Sequence, residues 1–190
     1  IGNIEAATIV DVSSSVMGKI VALPVEEGDL VEEGQVLVEL EKDRFQAAVK
    51  EAGAALEMAE AQVELVSAQL EKIEKTYLRQ KELYDNEMIS IEEFEQVETE
   101  YRVQQATLRM QQENVRQAQS RLEQAEDDLK KATIVSPLSG SIIELNIKKG
   151  ENVITGTMNN PGTVLMKVAD LSAMKIKAEF DEADIISIHD

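Results

Sequence analysis

The sequence contains no cysteine and no tryptophan, a single histidine and only three prolines. Without cysteine there is no disulfide, no thiolate nucleophile and no cysteine-bound metal. The one histidine, His189, is the second residue from the end of the sequence. A solvent-facing side chain suits it better than a metal site. Aromatics make up 3% of the residues, too few for a large aromatic-lined pocket. Positive charge is also scarce: 19 Lys and Arg stand against 37 Asp and Glu, a net charge of -18. A phosphate backbone or an anionic lipid surface wants the opposite sign. No apolar run approaches the roughly 18 residues that span a bilayer, and no signal peptide is visible. The sequence begins at Ile1 rather than Met, so an upstream segment is expected in the full protein. There is no Ser/His/Asp arrangement and no GxxxxGK[ST] phosphate loop, so neither an enzyme nor a cofactor is expected.

What is present is sharply partitioned. Between residues 43 and 131 there is one glycine and no proline. Ala, Glu, Gln, Leu, Arg and Lys dominate there, all strong helix formers. Apolar residues recur in alternating steps of three and four through Val49, Ala52, Leu56, Ala59, Val63, Val66, Leu70, Ile73 and Tyr77 to Tyr84. A second seam runs from Phe94 through Val97, Tyr101, Leu108, Val115, Ala118, Leu122 and Ala125 to Leu129. Gln80, Gln104 and Gln111 occupy seam positions in the half nearer the turn. They act either as register devices or as contacts for a neighbour. A sustained 3.5-residue period means a left-handed coiled coil. The seams match when residue numbers add to 177 or 178. Leu56 then faces Leu122, Val63 faces Val115, Tyr77 faces Tyr101 and Tyr84 faces Phe94. This predicts an antiparallel hairpin about 60 Å long, at about 1.5 Å per residue, turning at about 86–91. Ser90 and Glu93 have capping-box spacing for the return helix.

The flanks read differently. Residues 16–42 and 132–170 alternate in period two between glycines, as short half-buried strands do. Gly28 and Gly34 are placed as turn residues with positive φ. The flanks also repeat each other. Gly18, Ile20, Val25, Gly28, Val31 and Gly34 recur as Gly140, Ile142, Ile147, Gly150, Val153 and Gly156, at an offset of 122. VLVEL at 36–40 recurs as VLMKV at 164–168, the six extra residues falling in the TMNNPGT loop. Two such halves, neither able to bury its apolar face alone, are expected to form one β-sandwich with the hairpin inserted between them. Residues 1–15 read as a lead-in strand and 171–190 as the start of a further, truncated domain.

The half-motifs GKIVALPVEEGDLVEEGQVLVELE and SGSIIELNIKKGENVITG resemble the two halves of a biotinyl/lipoyl domain. Carrier domains of that type present a lysine between the halves. The matching position here is Arg44, whose delocalised guanidinium cannot form the amide, and Lys42 is the neighbouring amine. A lipoyl domain split by a coiled-coil hairpin resembles the periplasmic adaptors, or membrane fusion proteins. VADLSAMKIKAEFDEADIISI, residues 168–188, resembles the beginning of that family's β-barrel domain, in the wording of adaptors for macrolide-exporter ABC transporters. The fold implied is a mixed α/β multi-domain chain: a lipoyl-like β-sandwich, a long α-hairpin and the start of a β-barrel.

The function implied is a periplasmic adaptor that is anchored at the inner membrane through other segments. It would bridge an inner-membrane ABC (MacB-like) transporter to a TolC-type outer-membrane channel as a homo-oligomer, a hexamer by resemblance. The alternatives are a coiled-coil spacer without transport, or an adaptor of a proton-driven exporter. Adaptors that dock on the TolC-type duct share an Arg, a Leu four residues on and a Ser seven beyond. Arg79, Leu83 and Ser90 match. Taken alone, these residues also suit a solvated arginine, a seam flank and a helix cap. Asn159 and Asn160 stand where the macrolide-type adaptors carry a channel-lining loop with a glutamine ring, and they also suit a plain turn.

Overall fold

The computed structural model describes the backbone of residues 2–156 and 163–178, and the side chains of 8–156 and 163–171. The chain divides into two compact units, one comprising Ile1–Lys42 with Asp128–Asp190 and the other Asp43–Asp127. The elements run β1 (Gly2–Ser13), β2 (Gly18–Ala22), β3 (Leu30–Val31), β4 (Val36–Leu40), α1 (Asp43–Asp85), α2 (Ile91–Lys131), β5 (Thr133–Val135), β6 (Gly140–Leu145), β7 (Asn152–Val153) and β8 (Val164–Ala178). Among the described residues no helix is long and apolar enough to cross a membrane.

The β unit holds two four-stranded sheets, ordered β1-β8-β6-β3 and β5-β4-β2-β7. Each sheet takes strands from both sequence repeats. Shifting β5, β4, β2 and β7 by the repeat offset turns one sheet order into the other. The turns obey the same symmetry. Gly28 N–H donates to Ile142 O (2.8 Å) and Gly150 N–H to Ile20 O (2.9 Å). Ile142 N–H returns a bond to Asp29 O and Ile20 N–H one to Glu151 O, both 2.9 Å. Gly28 and Gly150 have φ of 96° and 94°, and Gly34 has 82°, the left-handed region that only glycine enters without strain. The core repeats too: Ile20 with Ile142, Val31 with Val153, Leu37 with Leu165, Val38 with Met166 and Leu40 with Val168 are all buried. Each half supplies strands to both sheets, so burial requires both.

One detail departs from the period-two reading. Leu37 and Val38 are both fully buried, whereas simple alternation would expose one. A bulge explains it: β4 pairs Val36 with Val135 and Val38 with Ile134, leaving Leu37 as an extra residue. Such a bulge turns successive side chains away from strict alternation. The division expected after residue 170 falls within β8, at the point where its antiparallel pairing with β1 shifts register between Asp170 and Met174 before continuing to Ala178.

The α unit is the antiparallel hairpin. All 22 seam positions are half-buried or buried, with Val66 and Ala118 the most enclosed. Two helices shield a seam from one side only, which leaves the rest of it partly wet. The matched pairs meet as the numbering predicts. Tyr77 stacks on Tyr101 and Tyr84 on Phe94, each at 4.8 Å between centroids with 7° between planes. Tyr77 also approaches Phe94 at 5.8 Å. Gln104 donates to Gln69 of α1 (3.2 Å), a link between helices that can hold register. Gln111 instead accepts from Asn114 of its own helix (2.9 Å).

Candidate functional site

The hairpin tip is built by two helix caps that meet back to back. α1 ends in a Schellman motif. Met88 N–H donates to Leu83 O (2.8 Å) and Glu87 N–H to Tyr84 O (2.9 Å). Glu87 occupies the left-handed position at φ 59°, alone among the described non-glycine residues, where glycine or asparagine is usual. α2 begins with the expected capping box. Glu93 N–H donates to Ser90 Oγ (3.3 Å) and Ser90 N–H to Glu93 Oε2 (3.1 Å). Glu92 and Glu93 in that first turn suit the positive end of the helix dipole.

The caps decide where the sequence candidates stand. Arg79 and Leu83, one helical turn apart, share a face of α1. Arg79 is exposed and Leu83 half-buried. Among the described residues no ion pair to Arg79 is recorded, so its guanidinium faces water. The Met88–Leu83 backbone bond folds the turn back over Leu83. Ser90 is exposed, with its hydroxyl engaged to Glu93. The tip therefore carries two exposed cations, Arg79 and Lys81, a hydroxyl at a cap and an apolar surface, among exposed carboxylates that include Glu82, Asp85 and Glu92. Much of that surface comes from residues the sequence reading did not single out: Met88 is 69% and Ile91 59% exposed. Two large apolar side chains in a turn between polar helix ends were the available signal.

Asn159 and Asn160 lie outside the described residues. The chain on either side of them closes through Thr163 N–H to Ile154 O, 3.3 Å. At the position matching a carrier lysine, the Arg44 guanidinium lies 4.5 Å from the Phe45 ring centroid in the first turn of α1. Lys42 pairs with Glu39 at 3.2 Å. Neither presents a free amine on an exposed β-turn. Among the described residues no group of three or more His, Asp or Glu could hold a metal ion.

Comparison with known proteins gives a family match. The family model described as RND MFP, barrel-sandwich hybrid domain, matches residues 8–165. The macrolide export protein MacA of Escherichia coli O157:H7 is 29% identical over 187 residues, 98% of this chain and 50% of that protein. The pyoverdine export membrane fusion protein PvdR of Pseudomonas aeruginosa is 34% identical over 185 residues, 97% of this chain and 46% of that protein. The crystal structure of MacA from Actinobacillus actinomycetemcomitans superimposes with a TM-score of 0.88 at 30% identity, covering 98% of this chain and 57% of that one. The chain spans about half the length of the curated relatives it matches.

Proposed function

Since the chain belongs to the membrane fusion protein family of periplasmic adaptors, we propose that it supplies the sandwich and hairpin of an adaptor linking an inner-membrane exporter to an outer-membrane duct. The family is not a catalytic one, and the work of this chain is mechanical. Copies assemble as a ring in the periplasm, six by resemblance, with the β units as its base. The hairpins form the conduit wall, and their tips meet the coiled-coil ends of a TolC-type channel. The exporter is an ABC transporter of the macrolide type, by the resemblance of residues 168–188 and the relatedness to macrolide export proteins. Energy for transport comes from that partner. Asn159 and Asn160 stand as the candidate channel-lining loop.

The tip is the observation that supports docking most directly. The two caps fix Leu83 and Ser90 at the end of the coiled coil, beside exposed Met88 and Ile91, with Arg79 one turn back on α1. Arg79 is placed to bind a carboxylate or carbonyls on the duct, while Leu83 and Met88 exclude water from the contact.

The test is co-purification of the full-length protein from cells, native and as Arg79→Asp and Ser90→Arg. The native protein brings down an outer-membrane duct and an inner-membrane transporter. The tip variants keep the transporter and lose the duct by roughly tenfold or more, the weight of a hot-spot residue. Circular dichroism checks that the hairpin remains helical, since losing the cap costs about 1 kcal/mol. Folded tip variants that keep the duct would reject the docking site. Recovery of no export component, even after crosslinking, would favour the spacer reading.

A further inference from the structure

Methionine carries the oxidisable chemistry of this chain. The sequence has seven methionines and no cysteine, so no thiol of its own competes with the thioethers for an oxidant. Five of the seven have described side chains. Met166 is fully buried in the core of the β unit. Met17, Met58, Met88 and Met110 are exposed, at 53%, 73%, 69% and 54%. Exposure does not separate these four, but position does. Met17 belongs to the β unit, and Met58 and Met110 lie within α1 and α2. Met88 alone stands in the turn between the helices.

The main chain of Met88 is committed to the fold, since its N–H closes the α1 cap on Leu83 O at 2.8 Å. Its side chain contributes no hydrogen bond among the described residues and is open to water. A change at the sulfur therefore leaves the cap that shapes the tip in place. With Ile91, Met88 supplies the exposed apolar surface there. A thioether is an adaptable apolar filler, suited to an irregular partner surface. A sulfoxide is polar, and its oxygen is a strong acceptor. The groups nearest in sequence suit that acceptor badly. Glu82, Asp85, Glu87 and Glu92 are exposed acceptors themselves, and the Ser90 hydroxyl is engaged with Glu93. Water satisfies the sulfoxide on a free tip, and a contact that excludes water removes that partner at a cost.

We infer that Met88 is a modification site, whose oxidation to the sulfoxide releases the hairpin tip from the outer-membrane duct and whose reduction restores docking. This deepens the docking reading above and rests on it. The oxidant is a neutral two-electron oxygen donor of the hypochlorous acid class. A neutral molecule reaches a tip rich in carboxylates, on a chain of net charge -18, where an anionic oxidant is repelled. The sulfur gives up two electrons and takes the oxygen of hypochlorous acid, and the chlorine leaves as chloride with one proton released. In the return step a dithiol, acting through a methionine sulfoxide reductase, supplies two electrons and two protons, and the oxygen leaves as water. Docking and oxidation exclude each other. A tip seated on the duct has its sulfur covered, so oxidation reaches the tips that are not engaged and keeps them so.

For the test, full-length protein is treated with hypochlorous acid at low molar ratio, freed of oxidant and mixed with a purified TolC-type duct. Peptide mass spectrometry reads the oxidised fraction at each methionine, and co-purification reads duct binding. Each protein is scored against its own untreated sample, with circular dichroism to check the helices. Oxidation of Met88 is expected to lower duct recovery by roughly tenfold, the weight of a hot-spot residue. Treatment with methionine sulfoxide reductases for both epimers and dithiothreitol restores it. Met88→Leu removes the effect of the oxidant, whereas the triple variant M17L/M58L/M110L keeps it. If Met88→Leu binds no duct untreated, the triple variant decides, because Met88 is its only exposed thioether among the described residues. Unchanged recovery by native protein oxidised at Met88 overturns the proposal. So does an equal loss in oxidised Met88→Leu, a triple variant indifferent to oxidant, or a Met88 spared while Met58 is converted. Untreated native protein that recovers no duct rejects the docking reading, and this proposal falls with it.

Discussion

At the scale of single residues, the space around its Cα separates a glycine that matters from one that does not. A Cβ at Gly140 would lie 2.3 Å from Ala169 O, and backbone cannot step aside as a flexible side chain can. Gly53 sits in α1 with nothing within 4 Å of such a Cβ. Gly140→Ala is therefore expected to destabilise the β unit by about 1–3 kcal/mol, and Gly53→Ala to stabilise the hairpin by up to about 1 kcal/mol. Urea denaturation of each variant measures both signs. Glu87 is the converse case, a side chain where glycine belongs. Glu87→Gly is expected to raise the melting temperature of the hairpin modestly, relieving about 1 kcal/mol of left-handed strain partly offset by the flexibility of unfolded glycine. Glu87→Val is expected to lower it, and thermal melts followed by circular dichroism decide.

At the scale of elements, β6 and β8 are joined across the sheet by an ion pair. Glu144 and Lys167 are register partners, with Nζ 2.5 Å from Oε2. The bond from Lys167 holds the Glu144 carboxyl below its ordinary value of 4.5, and a bond from Asn146 adds to this. The bond to Glu144 in turn raises the Lys167 ammonium above 10.5, with the carboxylate charge next in weight. The signs follow from linkage. What Glu144 contributes is present above the unfolded-chain carboxylate pKa and is lost as pH falls through its lowered native value. What Lys167 contributes is present below the unfolded lysine pKa and is lost as pH rises through its raised native value. Lys167→Gln is expected to return the Glu144 titration toward the ordinary range, read by carboxyl carbon NMR. An unmoved titration would mean the pair does not persist in solution. Both groups are solvated, so the effect on stability is small.

At the scale of the whole molecule, the hairpin is an insertion whose two ends leave and re-enter neighbouring strands. Leu40 N–H donates to Ala132 O at 2.9 Å, and Glu39 faces Thr133 in the β4–β5 register. That separation suits a tight turn. Replacing residues 43–131 by a short Asn-Gly turn is expected to leave the β unit folded, because every sheet pairing lies outside the excised segment. Well-dispersed amide NMR signals with the helical dichroism gone would bear this out. A collapsed spectrum would show that the sandwich depends on the hairpin.

The sequence by itself determined what repeats. A strict 3.5-residue period and matched residue numbers placed the Tyr77–Tyr101, Tyr84–Phe94 and Val63–Val115 pairs, because heptad packing depends only on spacing and reversal of direction. The 122-residue offset likewise disclosed two halves that complete each other. The capping box at Ser90 was legible because it is a local pattern of side chains. Tertiary structure alone decided what spacing does not encode. The extra residue at Leu37 depends on its partner strand. Glu87 accepts the left-handed position because the return helix requires the chain to reverse there. β8 continues past residue 170 because β1 pairs with it on both sides of a register shift between Asp170 and Met174, a contact between opposite ends of the described chain. Gln104 reaches across to α1 while Gln111 stays on α2, a choice of rotamer and not of sequence position.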